Sequence, residues 1–303
     1  MIAMKRIHLI CLVLMSVLFP VSALASGYVK GDVDENGQVT IADVVSLISY
    51  LLTEKWVTDT PAFQSDTIPV GDMSLVMIRI EGGTFTMGAA DDAEAYEWEM
   101  PAHEVTLTGY WMSETEVTQQ LWQAVMGENP SHFTGDDMRP VESVSWNDCQ
   151  EFIRRLNEMT GKSFRLPTSA EWEFAARGGI HAGGSRYAGS DIIDEVAWFS
   201  ANSYALGPNH PDYGTHAVAS KKANELGLYD MSGNVHEWCS DWYEEYSDAA
   251  QFDPAGAESG TYRVLRGGCW SSEARRCRVS YFNFNQPGNS SATLGLRLVL
   301  TIE

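Results

Sequence analysis

Residues 229–238 of this chain read Tyr-Asp-Met-Ser-Gly-Asn-Val-His-Glu-Trp, which places a glycine, an asparagine, two carboxylates and a tryptophan in one short stretch. Glycine permits the backbone conformations of tight turns, and Asn and Asp bond readily to nearby backbone groups. Carboxylates inside such a loop are suitable ligands for a hard cation. The stretch therefore predicts a tight loop that lacks regular hydrogen bonding and is pinned by an ion.

Two further segments lie downstream, Arg-Val-Leu-Arg-Gly-Gly-Cys-Trp at 263–270 and Leu-Gly-Leu-Arg at 294–297. Together the three segments resemble the formylglycine-generating enzyme family, also called sulfatase-modifying factors, over roughly residues 72–300. The resemblance implies an α+β fold, a variant of the C-type-lectin-like architecture with little regular secondary structure. It assigns residues 72–303 to one domain of this kind.

The pattern of apolar residues along 72–303 predicts a few strands and helices, followed by a long loop-rich part. Alternating apolar residues predict strands, and apolar residues at helical spacing predict helices. The predicted strands are 75–80, 82–88, 105–112 and 294–302, and the predicted helices are 116–126 and 146–160. Thr168 and Glu171 have the spacing of a capping box. Beyond Gly178 aromatic residues are frequent, and their large rings can bury much area within loops.

The first 25 residues predict a secretory signal peptide. Lys5 and Arg6 precede an apolar run from Leu9 to Leu18, and the small-residue motif Ala23-Leu-Ala25 ends it. This order is typical of exported proteins, and the run is too short for a comfortable membrane span. We expect a mature chain that begins near Ser26, has no membrane span and is secreted, periplasmic or held at the cell surface. A membrane anchor is the alternative interpretation.

Residues 26–56 resemble one repeat of a dockerin, an EF-hand-like calcium loop followed by a helix. Oxygen-bearing residues stand at the loop positions whose spacing wraps ligands around one calcium ion. They are Asp32, Asp34, Asn36, Gln38 through its backbone carbonyl, and Asp43. The turn-rich residues 57–71 predict a linker. A full dockerin has two repeats, so docking to a cohesin-like partner and a calcium-stabilised cap or spacer both remain open.

The net charge and the cysteine content limit which partners and which cellular compartment are possible. The formal net charge is −21, whereas proteins that bind nucleic acid need basic patches, so nucleic acid is excluded as a general partner. Four cysteines remain once Cys11 leaves with the signal peptide: Cys149, Cys239, Cys269 and Cys277. In an oxidising compartment they permit two disulfides in three connectivities, and the pairing is left open.

The resemblance places a calcium ion in the 229–238 loop. The side chains of Asp230 and Glu237 and the backbone carbonyls of Gly233 and Val235 would hold it. The family usually has Asn at the first of these positions, and the aspartate adds a charge. The alternative interpretation is that Asp230 and Glu237 cap a tight turn by accepting backbone N–H groups.

The resemblance also gives chemical meaning to the turn after Gly267-Gly268. In the family enzyme two cysteines five residues apart bind copper(I) there, and soft thiolates suit this ion. Their positions correspond to Ser272 and Cys277, while Cys269 replaces a serine of the family motif. A hydroxyl is a weak ligand for copper(I), so copper is not the cofactor that we expect. Disulfide-bonded cysteines are favoured over a metal site of Cys269, Cys277 and His236.

Three functions follow from these observations. The favoured one is an exported, non-catalytic, calcium-stabilised module whose aromatic, loop-built face binds a glycan, a peptide or a partner protein. The second is an oxidase of the formylglycine-generating type that acts on a protein cysteine. The third is a structural component of a surface assembly, attached through residues 26–56. Because a fold of this kind does not by itself imply the enzyme, the replacement at Ser272 decides the preference.

Overall fold

A computed structural model describes residues 64–90 and 92–302, so the predicted signal peptide and calcium repeat lie outside the described residues. The strands are β1 (Ser65–Val70), β2 (Met73–Ile80), β3 (Gly83–Met87), β4 (His103–Leu107), β5 (Tyr110–Ser113), β6 (Phe164–Arg165), β7 (Ala197–Trp198), β8 (Ser232–Gly233), β9 (His236–Trp242), β10 (Gln251–Phe252), β11 (Arg263–Arg266), β12 (Phe282–Asn285), β13 (Leu294–Gly295) and β14 (Val299–Thr301). The helices are α1 (Gln119–Met126), α2 (Trp146–Thr160), α3 (Ser169–Ala176) and α4 (Ile193–Val196). Short strands and few helices make this an α+β domain, as the sequence predicts.

A five-stranded sheet in the order β1-β2-β5-β14-β6 brings together the two ends of the described chain. Its first strand corrects the predicted boundary, because β1 lies inside residues 57–71, which the sequence assigns to a linker. Ile68 and Val70 are buried in the core, and β1 pairs with β2 along its whole length. The domain therefore begins before residue 72, with β1 as an edge strand of the sheet.

The single strand predicted over 105–112 is two strands in different sheets. β4 pairs with β3 in a three-stranded sheet of order β10-β4-β3, whereas β5 pairs with β2 and β14. The Thr108 N–H between them donates to Asp253 Oδ1 at 2.8 Å, a contact made where the chain leaves the first sheet. Alternation of apolar residues continues across this change of partner, so periodicity alone could not detect it.

Each long helix begins at the polar cap that its sequence indicates. The Thr118 hydroxyl accepts a backbone N–H of the first turn of α1, so this helix begins later than predicted, at Gln119. Ser145 caps α2 in the same way. Thr168 and Glu171 accept each other's backbone N–H groups at the start of α3, which confirms the predicted capping box. No helix among the described residues is long and apolar enough to cross a membrane.

Two large apolar cores hold the domain together. The first packs α1 and α2 against the five-stranded sheet, and the Trp122 and Phe152 rings stack there with their centroids 4.8 Å apart. The second surrounds α3, whose eight residues are all buried. A helix that is buried on every side has no polar face, and so α3 lacks the one-sided apolar pattern of α1 and α2.

Buried arginine–glutamate pairs connect the loops of the C-terminal half. They are Arg266–Glu173, Arg278–Glu99 and Arg297–Glu237, with N–O distances of 3.0, 2.6 and 2.6 Å and side chains at most 1% exposed. Each guanidinium also donates to backbone carbonyls of neighbouring loops. Because buried backbone carbonyls need a donor and loops supply few, these arginines satisfy groups that regular secondary structure would otherwise satisfy.

Candidate functional site

The loop of residues 229–238 folds tightly through left-handed backbone positions. Asp230, Gly233 and Asn234 have φ angles of 58°, 85° and 55°. A Cβ on Gly233 would lie 2.2 Å from the Trp198 carbonyl oxygen, so only glycine fits there. The N–H groups of Gly233 and Asn234 donate to the carbonyls of Gly267 and Trp198, both at 2.8 Å. The stretch is a tight turn, as the sequence predicts, but it does not lack regular hydrogen bonding, because it contains β8 and the first residues of β9.

Glu237 is fully buried, and its carboxylate faces an arginine. Arg297 Nε and Nη2 donate to Glu237 Oε2 and Oε1 at 2.6 and 2.7 Å, and Trp172 Nε1 donates to Oε2 at 2.5 Å. Arg297 also donates to the backbone carbonyls of Ser113 and Tyr229, which ties the loop to β5. The sequence singles out the segment that ends at Arg297, but the spacing along the chain gives no indication of its partner.

Two more carboxylates lie in the same buried region. Asp230 Oδ2 accepts the Ala219 N–H at 2.7 Å, and Glu116 accepts two N–H groups from the loop at 2.7 and 3.0 Å. Burial raises the pKa of Asp230 to about 6. Burial also raises the pKa of Glu116 well above its usual value, and the neighbouring Asp230 and Glu237 carboxylates raise it further. Arg297 acts to lower the pKa of both groups, so its guanidinium interacts with three carboxylates, those of Glu116, Asp230 and Glu237.

The residues predicted to hold calcium in this loop do not fit the ion as they lie. A calcium ligand must direct its oxygens at the ion, but both Glu237 oxygens accept from Arg297, which already supplies positive charge. Asp230 is engaged by a backbone N–H, as in the alternative interpretation. Among residues 64–90 and 92–302, no group of three or more His, Cys, Asp or Glu side chains is placed to share a metal ion. Calcium binding here stays a prediction, and the geometry favours Arg297 as the cation.

The turn after Gly267-Gly268 brings Ser272 back onto Cys269. Ser272 Oγ accepts the Cys269 N–H at 3.0 Å and lies 3.2 Å from the Cys269 sulfur. Ser271 Oγ lies 3.3 Å from the same sulfur. Gly268 has a φ of 73°, and a Cβ at this position would lie 2.8 Å from the Cys277 sulfur. Glycine therefore lets the two arms of the turn close on each other.

Cys277, at the second copper position of the family, is fully buried in a small apolar cluster. The cluster also contains Tyr187, Val196, Ala197 and Phe199. Burial raises the pKa of the Cys277 thiol well above its ordinary value, so the sulfur stays protonated. Copper(I) chemistry needs two thiolates, and this turn offers a hydroxyl bonded within the turn and a neutral thiol. Ser272 and Cys277 therefore do not fit the copper site of the family.

His236, the first residue of β9, lies beside Cys269. Its imidazole is only 8% exposed, and Nδ1 has no hydrogen-bond partner. Burial alone would raise the pKa of the Cys269 thiol, but the charge and hydrogen bonding of His236, with the hydroxyls of Ser271 and Ser272, lower it to about 7. Pairing of β9 with β11 brings the two segments together. The sequence names both residues only as part of an alternative metal site and does not indicate this pair.

The four cysteines of the described chain are buried free thiols, so the predicted disulfides are not formed in this structure. Cys149 belongs to the first apolar core, Cys239 to the second and Cys277 to the small third cluster. Three of the four side chains are thus separated by packing.

Four aromatic rings from separate loops meet beside this turn. The Trp270 ring lies 5.0 Å from the rings of Phe133 and Tyr213 and 5.7 Å from that of Tyr204, measured between centroids. Trp270 is buried and its Nε1–H donates to the Ala292 carbonyl at 2.8 Å, whereas Tyr204 is 50% exposed. We call these four rings the aromatic face. Its centre is the buried Trp270 ring, and Tyr204 is its most exposed member.

Known proteins are similar to this chain in sequence and in fold. The chain is 32% identical over 266 residues to the chaperone protein LppX of Paenibacillus barcinonensis, with 74% of this chain and 88% of the relative covered. It is 35% identical over 232 residues to the formylglycine-generating enzyme of Thermomonospora curvata, with 69% and 74% covered. The solved structure of Treponema denticola variable protein 1 matches with a TM-score of 0.70 at 33% identity, covering 80% of this chain and all of that one.

The structural neighbours confirm the predicted C-type-lectin-like variant of the α+β class. Residues 67–302 match the family described as "Sulfatase-modifying factor enzyme 1-like domain". That range begins inside β1, in agreement with the corrected domain boundary. By this match and by the geometry of its motif loops, the chain belongs to the sulfatase-modifying factor family.

Proposed function

We propose that this protein is a polypeptide-binding member of the family that does not generate formylglycine. One observation carries the proposal: Ser272 bonds to the backbone and sulfur of Cys269, while Cys277 is a fully buried thiol. The turn that holds two copper thiolates in the family enzyme is here a closed, internally bonded structure. A chain with this turn keeps the family fold, lacks one of the two thiolates and holds the other cysteine as a buried thiol.

The aromatic face supports a role in recognition. It combines a buried Trp270 anchor with Tyr204, half of whose surface is open to solvent. Rigid aromatic residues give large contact areas at a small cost in conformational entropy, and they recur in binding sites for this reason. The loops that carry the rings are fixed by packing around Trp270. A preformed apolar surface of this kind suits an extended polypeptide with apolar side chains.

The relatives favour a polypeptide over a glycan. One is a chaperone protein and another a formylglycine-generating enzyme. A chaperone acts on proteins, and the family resemblance implies a protein cysteine as the substrate of the enzyme. A binding site for unfolded polypeptide is therefore the property that this chain is best placed to share with both.

The proposal extends to export and to a calcium-binding segment at the N-terminus. Residues 1–25 have the order of a signal peptide, and residues 32–43 have the ligand spacing of a calcium loop. A secreted, periplasmic or surface location would place the aromatic face among exported polypeptides. A cohesin-like partner, or a surface assembly, would hold the protein through residues 26–56.

One labelled peptide tests binding and chemistry separately. We expect a fluorescent, unfolded peptide with a sulfatase-type cysteine motif to bind, and Tyr204→Ala to weaken binding about tenfold, since an aromatic side chain that contacts a ligand contributes about 1–2 kcal/mol. Tyr262→Ala is the matched control, because Tyr262 is 38% exposed and lies outside the aromatic face. Binding of glycans but not of peptides, or equal losses in the two variants, would contradict the proposed ligand.

The same peptide, incubated with copper and oxygen, reports conversion by mass spectrometry. We expect no aldehyde from the wild-type protein. Aldehyde formation that is lost in Cys277→Ser would overturn the non-catalytic assignment. A gain of aldehyde in Ser272→Cys alone would support the assignment and show that the missing thiolate is the defect.

A further inference from the structure

A small cavity lies where β4, β9 and the first residues of α3 meet, and we call it the β9 cavity. Its volume is about 40 Å³, and Met87, Val264 and Phe282, each at most 5% exposed, form an apolar part of its wall. One water molecule needs a cavity of about 10–15 Å³, so this one admits a small polar group or the end of a longer ligand. The four rings of the aromatic face do not line it, so it is a different site.

Asp241, in β9, is 6% exposed and lines the β9 cavity. Both hydrogen bonds that its carboxylate accepts fall on Oδ2, from the Ser169 N–H at 2.9 Å and from the Ser240 hydroxyl at 3.2 Å. Within residues 64–90 and 92–302, no group donates to Oδ1. Buried carboxylate oxygens are normally bonded, so Oδ1 is an acceptor left open for a molecule in the cavity.

His103, the first residue of β4, offers a second open acceptor in the cavity. Its imidazole is 4% exposed and packs edge-on against the Tyr246 ring, with the centroids 4.8 Å apart. Nδ1 lies 3.1 Å from the Pro101 carbonyl oxygen, which can only accept, so Nδ1 carries the proton. Nε2 of the neutral ring is then an acceptor, and nothing in the described part of the chain donates to it.

The charges that line the cavity are acidic. Glu244 and Glu245 are exposed at its rim, and no lysine or arginine is among the described residues that line it. Burial raises the pKa of Asp241 to about 6, which is still below neutral pH, so the buried carboxylate is charged under ordinary conditions. Because a buried charge is unfavourable without a partner, a ligand that brings a positive charge would relieve this cost.

Two guanidinium groups act on or near Asp241, but both are bonded elsewhere. Arg266 pairs with Glu173 at 3.0 Å. Arg263 donates to the Ser240 carbonyl. Neither guanidinium donates to the Asp241 carboxylate, so the cations of the described chain leave its open oxygen unfilled.

We propose that the β9 cavity binds the ammonium group of a primary alkylamine, either a lysine side chain of another polypeptide or a small free amine. An ammonium group has three donors and no acceptor, which matches the open acceptors on Asp241 and His103. Its methylene stem suits the apolar wall, and the rings of Trp242 and Tyr246 add surface that attracts a cation. The inference does not rest on the polypeptide-binding role of the aromatic face.

Other classes of ligand match the cavity less well. Calcium takes about six to eight oxygens, and within residues 64–90 and 92–302 no three His, Cys, Asp or Glu side chains are placed to share an ion. An anion would meet open acceptors and an acidic rim, both of which repel it. Charge and hydrogen bonding therefore both select an organic cation.

Titration of the folded, full chain with n-butylamine at neutral pH tests the proposal. We expect saturable binding with a Kd on the order of 1 mM, because so small a ligand makes few contacts. Calorimetry and the indole NMR signal of Trp242, which lines the cavity, would both report it. Neither n-butanol, which has a similar shape without the charge, nor potassium chloride should shift that signal.

A capped lysine, N-acetyl-lysine amide, distinguishes the two sources of the ammonium group. Binding as tight as that of butylamine would identify a lysine side chain as the ligand. Binding of butylamine alone would identify a small free amine, because the peptide backbone of the capped lysine would then be what the cavity excludes.

Single substitutions test the assigned acceptor. Asp241→Asn keeps an oxygen that can accept from Ser169 and removes the charge, so it should weaken butylamine binding at least about tenfold. Glu128→Gln is the matched control, since it removes one charge from an exposed residue that does not line the cavity, and it should leave binding unchanged. Replacing both Glu244 and Glu245 by glutamine should weaken binding only about twofold, because exposed charges are screened.

Three results would overturn the proposal. One is the absence of a saturable shift of the Trp242 signal at about 50 mM butylamine. Another is an equal shift with butanol or with potassium chloride. The third is an Asp241→Asn variant that binds butylamine as tightly as the wild type. The first two need only the wild-type protein, so they remain decisive if urea unfolding shows that Asp241→Asn does not fold.

Discussion

Replacing Arg297 by methionine should destabilise the domain strongly. The guanidinium makes two hydrogen bonds of 2.6 and 2.7 Å to Glu237, and neither side chain is exposed. Breaking a buried ion pair by removing one partner costs about 3–5 kcal/mol, because the other charge stays buried. We expect the upper part of this range, since Asp230 and Glu116 lose the same guanidinium.

Urea unfolding, followed by tryptophan fluorescence, measures this loss. Arg154→Met is the matched control: Arg154 pairs with Glu151 and Glu158 on the exposed face of α2, is itself 54% exposed, and should leave the midpoint unchanged. A second change, Glu237→Gln, should recover part of the stability lost in Arg297→Met, because the unpaired charge is removed.

The same unfolding experiment distinguishes the Arg297 guanidinium from a calcium ion as the cation that stabilises the loop. If Arg297 is the cation of the loop, a calcium chelator should leave the transition of the domain in place. A loss below about 1 kcal/mol in Arg297→Met would refute the reasoning, since surface substitutions reach that range. A transition that shifts on chelation, with the shift absent in Glu237→Gln, would show instead that calcium binds at residues 230–237.

Three other predictions concern single groups. Burial raises the pKa of Asp241 to about 6 from 3.8, so only the folded state holds this proton between about pH 4 and 6. Stability should therefore fall as the pH rises through that window, with on the order of 3 kcal/mol of the fall due to Asp241, and Asp241→Asn should remove that part from urea titrations, while the part due to Asp230 remains. Asp32→Ala should remove one calcium site in calorimetry, and unchanged titrations would mean that residues 32–43 are merely acidic. Gly233→Ala should cost more than about 2 kcal/mol in urea unfolding, because its Cβ meets the Trp198 carbonyl.

Local patterns in the sequence were sufficient wherever neighbouring residues decide the outcome. The capping box of Thr168 and Glu171 is such a case, since its partners lie three residues apart. The tight loop around Gly233 is another, because its backbone conformation depends on a glycine that the sequence displays. Patterns failed at residues 108–109, where strand partners in other parts of the chain decide which sheet each segment joins. They also failed at residues 65–70, because the turn-rich composition of 57–71 concealed a strand that pairs with the neighbouring β2.

The sequence by itself determined the family, the α+β class and the replacement of a copper thiolate by Ser272, because motif spacing and residue type are properties of the chain. Only the tertiary structure decided what the motif residues do. Glu237 meets Arg297 because β13 pairs with β9, and Cys269 meets His236 because β9 pairs with β11. Both contacts join residues more than 30 positions apart, and the free energy of such pairs depends on burial, which the chain acquires only when its sheets assemble.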